Sequence, residues 1–441
     1  MKLKNILKEN TILLAVYCIV FFSLITKEAI YSPDTSSYLL ALPYRHLGYV
    51  IFVKTITFLF SDNFDLAIIG FQSVFGLFAV NFFLKKVAKI LSLNTILFFV
   101  LLVVLLFPFF SPLHIANNVC PEGLSYSLYL LFVALNLEFL FNHNTKVLKF
   151  VIITFLALVF TRGQFLFTSL IFAFVYFLQN RKQVFKKPHL IHLSILLLIP
   201  IVAVLGELSY HKLKDGIFMT TPFGFVNTST SAFYVANSDD INFITNEDDK
   251  AIFKSCYESL VQQKLLLSQN KAENYRQQYD HFQKNLTTIC NLTIHESGKK
   301  YYLQKNSPAL LKKQITYAKA YYDIDKTCKN LTFILIKQNF KKWIQLYFAN
   351  ILHGFNNWFI FTTIVFAFIF SLIKLIFSYS KWHSVLFIFS SLSILNAMIS
   401  ALFTYSIPRL LFYNYPLIFL CFIILIQLLT REFKMRKTKG Y

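Results

Sequence analysis

Apolar runs that approach membrane-spanning length recur along this chain and constrain its fold more than any other feature. They fall at about residues 11–26, 65–84, 92–110, 124–141, 146–162, 164–179, 189–207, 357–379, 383–404 and 409–430. A helix needs roughly 20 apolar residues to cross the hydrocarbon core of a bilayer. Composition agrees: of 441 residues 56% are hydrophobic and 18% aromatic, only 15% are charged, and the mean hydropathy is +0.55. A soluble domain carries more charge and shorter apolar runs. The sequence predicts an all-α polytopic membrane protein with about ten transmembrane helices.

The charges between the runs predict the orientation. Six segments are basic: "MKLKNILKEN", "KKVAKI", "NHNTKVLK", "NRKQVFKKPH", "YSKWH" and the tail "REFKMRKTKGY". The alternating segments "SPLHIANNVCPEG" and "YSIPR" are nearly uncharged. Lysine and arginine collect on the cytoplasmic side, so both termini are expected inside, in the plasma (inner) membrane of a cell whose Phe-, Lys-, Asn- and Ile-rich usage suggests a bacterium. The net charge of +22 is then read as orientation and contact with anionic lipid, and no nucleic-acid partner is expected. Residues 47–60 are expected as a helix at the outer interface. Two outer segments result: residues 27–64, between the first two spans, and residues 208–356, between the seventh and eighth. The predicted organisation is a membrane module over 1–207, a large outer region over 208–356 and C-terminal spans with a basic tail over 357–441. Lys2, Lys4 and Lys8 precede an apolar core without a small-residue cleavage site, which predicts a retained anchor. The end of the outer region, "NFKKWIQLYFANILHGFNNWF", reads as an interfacial helix with Trp343 and Trp358.

The six cysteines include no CxxC and no Cys-His cluster, so zinc is not expected. A disulfide among Cys256, Cys290 and Cys328 is left open. Sequons at Asn227, Asn285, Asn291 and Asn330 are read as chance patterns.

Ionisable residues at membrane depth are costly and usually functional. By the layout above they gather near the outer face: Asp34, Arg45 and His46 after the first span, His114 and Glu122 before the fourth, Arg162 in "VFTRGQF", and Arg409 in "YSIPRLLFYNYP". Each has a simpler reading. Asp34 in "SPDTSSY" suits a helix N-cap, the arginines could snorkel to head groups, and Glu122 suits a helix dipole. The "YNYP" tyrosines read as an aromatic belt. Together the residues suggest a site in which an acid takes a proton from a hydroxyl while arginines hold a phosphate.

At these positions the chain resembles the GT-C superfamily of integral-membrane glycosyltransferases, in the bacterial group related to protein O-mannosyltransferases and lipid A aminoarabinose transferases. "YSPDTSSYLLALPYRHLGYVIFVK" resembles that family's first outer loop, with an Asp and a following Tyr, then an Arg-x-x-Gly-Tyr element at Arg45, Gly48 and Tyr49. "ANNVCPEGLSYSLYLLF" resembles its Pro-Glu-x-Leu helix start, "FTRGQFLF" its later arginine turn, and "YSIPRLLFYNYPLIFL" its closing Arg-x-x-x-x-x-x-Pro helix. His46 and Leu47 follow the arginine where many members have proline. The resemblance implies an inverting transfer of a sugar from a polyprenyl-phosphate donor to a hydroxyl of a glycan, lipid or protein, at the outer face. Asp34 would be the catalytic acid-base residue. Arg45, His46, Arg162 and Arg409 would bind substrate, and Glu122 would shape the same cavity. Some members use a divalent metal. Here Asp34 stands alone before Asp62, which weakens the case for a divalent metal and leaves it open; no other cofactor is expected. Two other readings remain: an O-antigen or polysaccharide polymerase or ligase using a diphosphate-linked oligosaccharide, and a lipid-linked-sugar transporter or flippase.

Overall fold

The computed structural model describes residues 2–142, 144–270, 274–306, 313–403 and 405–438, so His143 and the last three residues of the basic tail lie outside them. The described residues are helical without strands, apart from one isolated parallel bridge between Ile30 and Asn118. Each of the ten predicted apolar runs falls on a helix. Among the described residues, seven helical segments are long and apolar enough to cross a membrane: Leu47–Leu91, Glu122–Asn142, Gly163–Asn180, Lys187–Asp215, Trp358–Phe377, Lys381–Phe403 and Pro408–Thr430. The other three runs fall on the shorter apolar helices Asn10–Ile25 and Thr95–Phe109 and on Leu148–Thr161. Their outward side chains are large and apolar, as at Ile19, Phe58, Ile96, Leu198 and Phe366. Hydrocarbon tolerates such a surface and water does not. The chain is a multi-pass helical membrane protein.

The chain divides into two compact units. The first comprises residues 1–203, 363–394 and 412–441. Its run Leu47–Leu91 is a 14-residue helix, Leu47–Phe60, then a turn, Ser61–Asn63, then the helix Phe64–Leu91. Tyr49, Val50, Val53 and Ile56 bury one stripe of the short helix at helical spacing. Gly48 sits where that helix meets the end of Leu148–Thr161: a β-carbon there would lie 2.8 Å from the Phe160 carbonyl carbon and the Thr161 nitrogen. Only glycine allows that approach.

The segment after the first helix is stitched to the segment before Glu122. Ile30 N donates to Asn117 O at 2.8 Å, and Val119 N donates to Ile30 O at 3.0 Å. Asn117 Nδ2 donates to Leu24 O at 2.9 Å, and Gln72 Nε2 to Ala116 O and Asn118 O at 3.0 and 3.1 Å. Thr35 Oγ1 donates to Val119 O at 3.1 Å. Gln72 and Asn117 are buried, so these bonds answer backbone groups that would otherwise be desolvated and unpaired.

The second unit comprises residues 204–362 and 395–411. The region after Asp215 folds as a module around its own core, drawn from the helices Gly224–Tyr234, Glu247–Gln262, Tyr275–Thr287, Lys313–Gln338 and Phe340–Gly354. Asp325 accepts from the backbone nitrogens of Phe223, Phe225 and Val226 at 2.8, 2.9 and 3.2 Å, which caps Gly224–Tyr234 from a distant helix. Cys256, Cys290 and Cys328 are reduced and lie inside this core. Burial pushes the Cys256 and Cys290 thiols up to about 12, which makes them inert packing groups. Trp343 is half-buried. Its indole nitrogen donates to Ser231 Oγ at 3.0 Å and its ring packs on the module's core.

Glu207, His211 and Asp215 lie four residues apart on one face of the helix Lys187–Asp215, and all three are buried. His211 Nδ1 is 2.7 Å from Asp215 Oδ2, and His211 Nε2 is 3.3 Å from Thr221 Oγ1. Thr221 donates to Glu207 Oε1, and Lys214 Nζ donates to Asp215 Oδ1 at 3.0 Å.

Candidate functional site

The first unit gathers ionisable and hydroxyl groups from four separated segments. The short helix Thr35–Leu39 follows Asp34, which occupies the N-cap position without a side-chain capping bond. This corrects the capping reading. The Asp34 carboxylate instead accepts from Arg45 Nη2 at 2.6 Å. Arg45 Nε donates to Ser37 Oγ at 2.6 Å, and Ser37 Oγ donates to the Asp34 carbonyl at 2.5 Å. The guanidinium lies over the rings of Tyr38 and Tyr44, 4.5 and 4.8 Å from their centres. Burial works to lower the Arg45 pKa, but Tyr38, Asp34 and Tyr44 outweigh it and hold the pKa above its ordinary value.

A second pair lies beside the first. Arg162 Nη1 donates to Glu122 Oε1 at 2.9 Å and to the Tyr413 hydroxyl at 3.3 Å, and Arg162 Nε donates to Gln164 Oε1 at 3.1 Å. The Tyr413 hydroxyl is 2.7 Å from Ser125 Oγ. The backbone N–H of Gly163 donates to His46 Nε2 at 3.4 Å, which ties the Arg162 turn to the first loop. Neither arginine snorkels. Their side chains are 18% (Arg45) and 14% (Arg162) exposed, each held inside the fold by a carboxylate.

Tyr38 is buried, and its hydroxyl lies in the fields of Arg45, Glu122, Arg162 and Asp34 together. Burial pushes its pKa up to about 12, with the two carboxylates adding to the rise and the two guanidinium groups opposing it. Tyr38, stacked under Arg45, is therefore a neutral hydroxyl that can donate or accept beside that guanidinium.

Five of the six predicted site residues thus come together: Asp34, Arg45, His46, Glu122 and Arg162. The sixth, Arg409, belongs to the second unit, where it sits half-buried in the one-turn helix Pro408–Leu411. The aromatic-belt reading of Tyr413 is corrected. The residue is fully buried, and its hydroxyl engages Arg162 and Ser125 because a phenol buried in apolar surroundings needs a polar partner. Tyr38 is the tyrosine noted after Asp34, but no role was assigned to it; Ser37 and Ser125 escaped the sequence reading. Their signal was a run of hydroxyls next to Asp34 and Glu122.

The two carboxylates differ in access. The Asp34 side chain is 33% exposed and that of Glu122 is 3% exposed. Asp34 is reachable from outside the fold, whereas Glu122 is buried against Arg162. Among the described residues no group of three or more His, Cys, Asp or Glu side chains is placed to hold a metal ion. Comparison with family models, with curated proteins and with solved structures finds no match.

Proposed function

We propose that the protein is a membrane glycosyltransferase of the GT-C type, which moves a sugar from a polyprenyl-phosphate donor to an acceptor hydroxyl at the outer face of the plasma membrane. The observation that carries this reading is that the Asp34–Arg45 and Glu122–Arg162 pairs lie in segments tied together by the Gly163–His46 bond. A lipid-linked sugar phosphate keeps its phosphate at the membrane edge and its tail in the bilayer. Arginine binds such a phosphate through two parallel hydrogen bonds. In the transfer the acceptor hydroxyl attacks the anomeric carbon, its proton passes to Asp34, and the bond to the lipid phosphate breaks with inversion. Arg45 and Arg162 stabilise the charge that grows on the leaving phosphate. The Asp34–Arg45 bond holds the carboxylate in place until the acceptor displaces it.

The test is mass spectrometry of lipid-linked sugars and surface glycans in the native host, comparing wild type, a deletion and an Asp34→Asn variant that still inserts. Loss of one glycan residue with accumulation of a monosaccharide polyprenyl phosphate in both mutants is the expected result. Accumulation of a diphosphate-linked repeat unit would instead identify a polymerase or ligase. Wild-type glycans from Asp34→Asn would remove Asp34 from the chemistry.

A further inference from the structure

We propose that the second unit carries a binding site for an uncharged saccharide, in a cleft that is distinct from the acid–arginine cluster. The cleft has a volume of about 460 Å³. Asn274 and Gln278 stand on one side, at the start of the helix Tyr275–Thr287. Gln345 and Phe348 come from Phe340–Gly354, and Trp358 and Phe361 from the first turn of Trp358–Phe377.

The lining selects the ligand class. Its polar groups are three carboxamides, and none of its lining residues is ionisable. A phosphate or a carboxylate would find no cation there, and an amine no anion. Carboxamides donate and accept at once, which matches sugar hydroxyls. The aromatic groups are exposed rather than packed away: Trp358 is 57% and Phe348 58% exposed. The apolar face of a pyranose ring can cover such a ring while its hydroxyls turn to the amides. A bare hydrocarbon chain would cover the aromatic wall but desolvate the Gln278 and Gln345 amides without giving them a partner, which is costly; Asn274 Oδ1 already accepts from Gln277 N at 3.0 Å.

The walls are fixed before any ligand arrives. Tyr279, one residue past Gln278, is buried, stacks on His353 at 4.2 Å and donates to Ser406 O at 3.0 Å. Asn350 in turn holds Ser406, accepting from its nitrogen at 2.8 Å and from its hydroxyl at 2.6 Å. A preformed cleft spares a ligand the cost of ordering it.

Binding needs no transfer chemistry, so this proposal goes beyond the glycosyltransferase reading and can fail or hold separately from it. The test uses the full-length protein in phosphatidylcholine nanodiscs and saturation-transfer NMR with neutral di- and trisaccharides of gluco, galacto, manno and N-acetylglucosamine type. At least one should bind saturably. Trp358→Ala should weaken it about tenfold, the size of a lost aromatic contact. Gln345→Ala, a change on an exposed helix position, should weaken it in a protein of unaltered thermal stability. Asp34→Asn should bind like wild type even where it abolishes transfer. The proposal is overturned if no saccharide binds, if binding survives both cleft variants, or if an alkyl glucoside binds through its chain while the free sugar does not.

Discussion

The acid–arginine cluster of the first unit and the Glu207–His211–Asp215 row of the second are built from the same kinds of group. Both pair carboxylates with bases across short hydrogen bonds. They differ in what can reach them. Asp34 keeps a third of its side chain open, whereas the His211 side chain is fully buried and that of Asp215 is 1% exposed. A buried pair that nothing can approach holds structure together, and a pair with one open member can exchange its partner for a substrate. Charge alone therefore identifies neither a site nor a scaffold. Accessibility of the acid separates them.

Four measurements would break or sharpen that contrast. The largest effect is expected from His211→Ala, which removes the buried base between Glu207 and Asp215. It should cost about 3–5 kcal/mol of stability, as removal of one buried partner does, read as a fall in thermal unfolding temperature. Protein that still folds should retain transfer. A loss of transfer without a loss of stability would reverse the roles assigned to the two regions.

The next effect concerns pH. Burial, helped by Lys299 and opposed by Glu296, holds the His295 pKa down at about 4 against an ordinary 6.5. Folding is therefore unaffected above pH 6.5 and is penalised as pH falls from 6.5 toward 4, because the unfolded chain takes up the proton first. The penalty approaches an order of 3 kcal/mol. Unfolding of the second unit followed at pH 7.5, 5.5 and 4.5 should show this slope, and His295→Gln should flatten it.

Gly48→Ala tests the first unit's packing. The new β-carbon meets the backbone of Phe160 and Thr161, and the overpacking should cost about 1–3 kcal/mol. Transfer should fall with stability, because Arg162 follows that turn directly. The smallest stability effect belongs to Asp34→Asn. A partly exposed pair contributes at most about 1 kcal/mol, so unfolding should hardly change while transfer is lost. Among the four substitutions, Asp34→Asn should have the largest effect on activity and the smallest on folding.

The sequence made part of this visible. Apolar runs announced the helices because hydrophobic length is a local property. Asp34, Arg45, Glu122 and Arg162 stood out because charges are rare in such a chain. The role of Tyr413 did not, since a tyrosine at a membrane edge looks the same whether it meets lipid or an arginine. The Glu207–His211–Asp215 spacing was readable as one helix face, but the predicted helix stopped at residue 207 and hid the pattern. The three module cysteines could not be placed from spacing, because the core that buries them joins helices far apart in the chain.

The bond between Arg162 and Tyr413 spans 251 positions, while Arg162 and Glu122 are 40 apart and Thr35 meets Val119 across 84. A growing chain can thus assemble both ion pairs while less than half of it has left the ribosome. The phenol that secures Arg162 arrives only with the closing helix. The cluster therefore lacks its Arg162–Tyr413 bond until that last segment is made.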